Sequence, residues 1–115
     1  LGNIMVLDRP WLSLADAERQ QLDKIASALK QRIDPRFGLE GFRIVDQQPV
    51  EPQAWQNIGR RAVYFGEPLA QATLYEVLAL GNCTAVFSEP LAQLAHNEAA
   101  KQKLWKALQQ MFARD

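Results

Sequence analysis

The strongest constraint on this chain is a stretch that occurs twice. Val63–Gln71 reads VYFGEPLAQ and Ala85–Gln93 reads AVFSEPLAQ, 22 residues apart, with Glu67–Gln71 and Glu89–Gln93 identical. Each copy is a short apolar run, then a small residue, an acid and a proline. Proline loses nothing at the first position of a helix, where its N–H would have no partner. The pattern therefore predicts strand–turn–helix units, and parallel units of this kind need a long crossover. Two copies are too few for a solenoid. The expectation is an α/β domain of three layers, with a small, mainly parallel sheet flanked by helices.

The strands predicted are Phe42–Val45, Ala62–Phe65 and Cys83–Phe87, with Ile4–Leu7 as a possible edge strand. Residues 1–12 form an N-terminal segment, either that edge strand or a partner-binding peptide, and 13–115 form one α/β domain. Ser13 and Asp16 have the spacing of a capping box. Leu22, Ile25, Leu29 and Ile33 recur at helical steps beyond it, so a helix is expected from Leu14 to about Ile33, ended by Asp34-Pro35. A short helix over Glu51–Ile58 would turn Ala54, Trp55 and Ile58 inward. A helix over Pro68–Leu80 would end at Gly81. Asn97 is a credible N-cap for a terminal helix carrying Leu104, Trp105, Leu108, Met111 and Phe112.

Charge narrows the function. Thirteen basic and thirteen acidic residues give a formal net charge of zero, which argues against indiscriminate nucleic-acid binding, because that needs unopposed Lys and Arg to displace counterions. No direct nucleic-acid contact and no membrane contact are expected, since no apolar run approaches the about 18 residues of a membrane span. Arg60 and Arg61, the only adjacent basic pair, read as the solvated start of a strand rather than a phosphate site. The single cysteine, Cys83, fits a reducing cytoplasm and excludes an intramolecular disulfide. Nucleotide-loop, nucleophile-elbow and zinc-protease motifs are absent, and neither cofactor nor metal is implied. His96 reads as a loop or cap residue.

Two surfaces remain as candidates. Trp11, Trp105, Met111 and Phe112 are possible anchors for a protein partner, because interfaces draw their affinity from a few buried aromatic or similar groups. Trp105 reads as more internal than exposed. Glu67 and Glu89 would both fall at the carboxyl edge of a parallel sheet, where open α/β sheets bind ligands. The same position suits carboxylates beside helix N-termini for structural reasons alone. A polar cleft joining them to Asp46 or Arg61 would favour a small-ligand or enzymatic domain. Self-association through the terminal helix is a third reading.

Glu89–Leu108, EPLAQLAHNEAAKQKLWKAL, carries a proline and leucines, Asn97, small residues at 99 and 100, Lys101 and the Leu104-Trp105 pair. It resembles the C-terminal segment of the psi subunit of the bacterial DNA polymerase III holoenzyme. Leu1-Gly2, Ile4 and Leu7–Pro10 are similar to that family's terminal peptide, although Asp8 interrupts it and Trp11 follows the proline. The resemblance implies a non-catalytic adaptor of the replication machinery. It would pair with a chi-like subunit, link it to clamp-loader subunits through the N-terminal peptide, and reach single-stranded-DNA-binding protein only indirectly.

Overall fold

The computed structural model describes residues 2–46, 51–67, 69 and 73–112. Five strands form one sheet: β1 (Gly2–Leu7), β2 (Phe42–Val45), β3 (Gly59–Phe65), β4 (Val77–Leu80) and β5 (Cys83–Ser88), in the order β2-β1-β3-β5-β4. All pairings are parallel except β4 with β5. The helices are α1 (Asp16–Arg32), α2 (Pro52–Trp55), α3 (Leu91–Leu94) and α4 (Glu98–Phe112). The result is the small three-layer α/β domain expected from the sequence.

β1 is not an edge. It pairs with β2 on one side and β3 on the other, and Asn3–Leu7 are all buried. Its nearly unbroken apolar run is what an interior parallel strand requires, because both faces are covered. Met5 and Leu7 join Val63, Phe65 and Val86 on the face packed by α1, α3 and α4, while Ile4 and Val6 join Tyr64, Ala85 and Phe87 on the face packed by Trp55 of α2. The chain leaves β1 through α1 to β2, then crosses back through α2 to β3 on the far side of β1. That reversal puts the two crossovers on opposite faces, as the right-handed rule demands.

α1 keeps its expected stripe, with Leu22, Ala26 and Leu29 buried. Its start differs from the expected Ser13–Asp16 box. Ala15 occupies the N-cap, and Glu18 Oε1 accepts the Ala15 N–H at 2.9 Å. Alanine has no side-chain acceptor, so only the carboxylate half of the reciprocal capping pattern forms. Ser13 Oγ instead donates to Pro10 O. In α2 the inward residues are Pro52 and Trp55, and Ala54 is exposed.

The repeated motif is not a structural repeat. Its copies are offset by 22 residues, but β3 and β5 pair with Phe65 opposite Ser88 and Tyr64 opposite Phe87. That one-residue difference turns the equivalent phenylalanines to opposite faces, because side chains alternate along a strand. Phe65 lies on the face covered by α1, α3 and α4, and Phe87 under Trp55 on the other. The second copy does lead into a helix, α3, with Pro90 at its N-cap. After the first copy, part of the expected Pro68–Leu80 helix (68 and 70–72) lies outside the described residues, and Val77–Leu80 is the antiparallel edge strand β4.

Gly81-Asn82 closes the β4–β5 hairpin as a two-residue loop, with Gly81 at φ +62. Tight hairpin turns need positive φ at such a position. Alanine there would carry a left-handed backbone and a Cβ in collision with Gln56 Oε1. Gln56 is flexible, so the backbone term dominates. Gly81→Ala is expected to lower stability by about 1–2 kcal/mol in chemical denaturation.

Candidate functional site

The carboxyl edge of the sheet gathers fewer of the expected residues than the sequence promised. Asp46, Glu67 and Glu89 do follow the ends of β2, β3 and β5. Asp46 Oδ2 accepts the Trp11 N–H at 2.7 Å, which ties the turn after β1 to the end of β2. Glu89 Oε1 accepts the Tyr75 hydroxyl at 2.7 Å. Both carboxylates therefore serve local structure. Arg61 is near the start of β3, paired in register with Asn3 near the start of β1, and so lies at the opposite edge. The cavity that Arg61 lines contains none of the three acids. A cavity of about 340 Å³ does open at the ends of β1 and β3, where the strand order reverses, but it takes in Glu67 with Asp8, Arg9 and Glu18 rather than Glu89 or Asp46. Glu18 there is ion-paired with Arg9 and also holds the start of α1.

Tyr75 connects this edge to the backbone. It has a left-handed φ of 62, uncommon for a bulky residue, fixed by its N–H to Phe87 O at 2.9 Å and its hydroxyl to Glu89. Burial, reinforced by the hydrogen bond to Glu89, pushes its phenol up to about 12. Burial, with Asp8 and Glu67 nearby, does the same for Tyr64, also to about 12. These are the chain's two tyrosines. Raised folded-state values favour the neutral phenols, so their contribution is full below the ordinary value of 10.0 and is lost as pH rises through about 12. Phenolate absorbance of the native protein is expected to lag that of the denatured chain across this window.

Of the four anchor candidates, two are internal. Met111 and Phe112 are each 2% exposed, and Phe112 packs against Phe37 and Phe42 with ring centroids 4.7 and 5.9 Å away. The helical spacing that made them look like one surface with Leu104 and Leu108 is the face α4 buries on the sheet. They are therefore core groups and not accessible anchors. Trp11 and Trp105 are half-buried. Beside Trp11, Leu12 is 89% exposed, the only large hydrophobic residue so exposed among the described residues.

Trp105 is in a different setting. Asn97 Oδ1 caps α4 by accepting the Ala100 N–H at 3.0 Å, and this fixes the phase of the helix. Leu104 then turns inward at 2% exposure while its neighbour Trp105 lies along the seam with α1. There Ile25, Ala28, Leu94, Leu104, Trp105 and Leu108 line an open, mainly apolar groove of about 300 Å³. Lys24 and Lys101 stand on its rim, and the Arg32 guanidinium lies 5.5 Å over the Trp105 ring. An apolar floor with a charged rim is the general composition of a protein-docking surface.

Cys83 is buried with its thiol pushed up by burial, the reverse of an activated nucleophile. His96 is exposed. Among the described residues no group of three or more His, Cys, Asp or Glu could hold a metal ion, and no helix is long and apolar enough to cross a membrane. Comparison with protein-family models, with curated proteins and with solved structures finds no match.

Proposed function

We propose that this chain is a non-catalytic adaptor resembling the psi subunit of the bacterial DNA polymerase III holoenzyme, holding a chi-like subunit on one surface and clamp-loader subunits on another. The observation that carries the reading is the apolar groove at Trp105, because one wall of it, Leu94, Lys101, Leu104, Trp105 and Leu108, comes from the Glu89–Leu108 stretch on which the resemblance rests, the other coming from α1. In that stretch Asn97 works as a cap, Leu104 as a core residue and Trp105 as a half-exposed aromatic. Half-exposed tryptophans in such seams are favoured interface anchors.

The clamp-loader surface needs a different form from a free terminal peptide. Gly2–Leu7 is committed to the middle of the sheet, so the contact is assigned to the turn after β1, around Trp11 and Leu12. Any link to single-stranded-DNA-binding protein runs through the chi-like partner. The carboxyl-edge cavity at Glu67 supports the second reading, a small-ligand domain, but the ion pair and hydrogen bonds within it favour the adaptor.

Two substitutions test the groove. Trp105→Ala should weaken binding of a purified chi subunit by about 2 kcal/mol or more, the scale of an interface hot spot. Lys24→Glu alters only the rim and should mainly slow association in a salt-dependent way. Chi binding that survives both changes would remove the groove from the proposal.

A further inference from the structure

A sizeable cavity lies at the end of the sheet away from the carboxyl edge. It encloses about 750 Å³, within the range of small-ligand sites. Arg32 at the end of α1, Arg36 in the turn that follows, and Arg60 and Arg61 at the start of β3 all line it, together with Asp34 and Asn3. Four arginines thus line the cavity with one acidic residue, in a chain with no net charge. The positive charge is concentrated in one concavity that overall composition conceals.

The fold fixes two of these arginines. Arg36 is held by Asp34, through Nε to Oδ1 at 3.0 Å and Nη2 to Oδ2 at 2.8 Å. This pairing holds the Asp34 carboxyl down at about 2. Arg61 is the less expected case. Its guanidinium lies across Phe37 and Phe112, 5.8 and 5.5 Å from the ring centroids, and its Nη1 donates to Asn3 Oδ1 at 2.9 Å. A pair that reads in sequence as the solvated start of a strand is therefore split: Arg60 is exposed and Arg61 is half-buried on aromatic faces. Burial, followed by the charges of Arg60 and Arg36, lowers the pKa of Arg61. Like charges held together in this way are relieved by a bound anion.

We propose that this arginine-lined cavity binds a small polyphosphate anion, either free or as the phosphate chain of a nucleotide. Arginine suits this ligand because its planar, forked donors match phosphate oxygens two at a time. A concave site also favours a compact anion over a nucleic-acid strand, whose backbone needs positive charge spread along a track. The apolar part of the wall contributes less to recognition, since the guanidinium of Arg61 already covers the aromatic rings. Arg32 also touches the Trp105 seam, where its guanidinium lies over the indole, but the cavity and the groove share no lining residue, and the site does not depend on the adaptor reading.

Calorimetric titration of the full chain with inorganic tripolyphosphate tests the proposal, with ATP and a single-stranded oligonucleotide as parallel arms. Saturable one-site binding of tripolyphosphate is expected. Arg60→Gln and Arg32→Gln, both at exposed residues, should each weaken it by roughly tenfold or more, while Lys103→Gln on the outside of α4 should not. Equal affinity for ATP would assign recognition to the phosphate chain, and tighter ATP binding to a nucleotide; both support the site. Absence of saturable binding would overturn it, as would equal loss with Lys103→Gln. Preferential, Arg60-dependent binding of the oligonucleotide would also overturn it, by making the ligand a nucleic acid.

Discussion

Phe112→Ala should destabilise the protein by about 3–5 kcal/mol, the cost of emptying a large aromatic site in a packed core. Phe112 is 2% exposed, and it joins α4 to the connection between α1 and β2, through Phe37 in the turn after α1 and Phe42 at the start of β2. It also carries Arg61 on its face. Truncation therefore opens a cavity and removes the support for a half-buried guanidinium. Phe112→Leu keeps most of the volume but no aromatic face, and should cost clearly less. A loss under about 1 kcal/mol for Phe112→Ala, typical of surface positions, would mean that α4 does not pack on the sheet as described.

Trp55 makes the corresponding case on the other face. Helix α2 is only four residues long, and its Trp55 is the largest fully buried side chain among the described residues. The indole stacks on Tyr64 at 5.8 Å and on Phe87 at 5.3 Å, and is 1% exposed. Trp55→Ala should cost about 3–5 kcal/mol. Trp55→Phe should be far milder for a specific reason. The indole Nε1 is buried with no hydrogen-bond partner among the described residues, and an unsatisfied buried donor costs about 1–3 kcal/mol. Phenylalanine removes that donor while keeping an aromatic stack, which offsets part of the lost volume. Denaturant melts of the two variants, compared directly, check this; equal losses would contradict it.

The fold class was legible because interior parallel strands are apolar on both faces, and Ala62–Phe65 and Cys83–Phe87 carry that signal, whereas Phe42–Val45, with Arg43 exposed, is an edge strand. The same rule applied to Ile4–Leu7 places it inside the sheet, where it lies. The segment before Gly81 was ambiguous in a familiar way. Leu74, Val77, Leu78 and Leu80 fit one helical face, and short apolar runs do not distinguish helix from strand. The Gly81-Asn82 pair between two apolar runs was the better signal, because it matches a two-residue hairpin. The duplicated motif misled through phase, since identity of sequence does not fix pairing register.

The site residues were harder for physical reasons. A helix shows which residues share a face but not which neighbour that face meets, so Met111 and Phe112 looked as available as Trp105. The arginine cavity draws on the end of α1, the following turn and the start of β3, segments separated in sequence by up to 29 positions from Arg32 to Arg61. Only the crossover from β2 to β3 brings them together.

The central claim is that this chain works as a physical bridge, and affinity capture from the native organism tests it most directly. Deleting residues 1–12 would be uninformative, because it removes a central strand. Leu12→Ser and Trp105→Ala leave β1 in place and address the two proposed surfaces separately. The account predicts that the unaltered protein recovers both a chi-like subunit and clamp-loader subunits, that Leu12→Ser loses only the clamp loader, and that Trp105→Ala loses the chi-like subunit. Recovery of neither partner, under conditions that preserve other replication complexes, would contradict it.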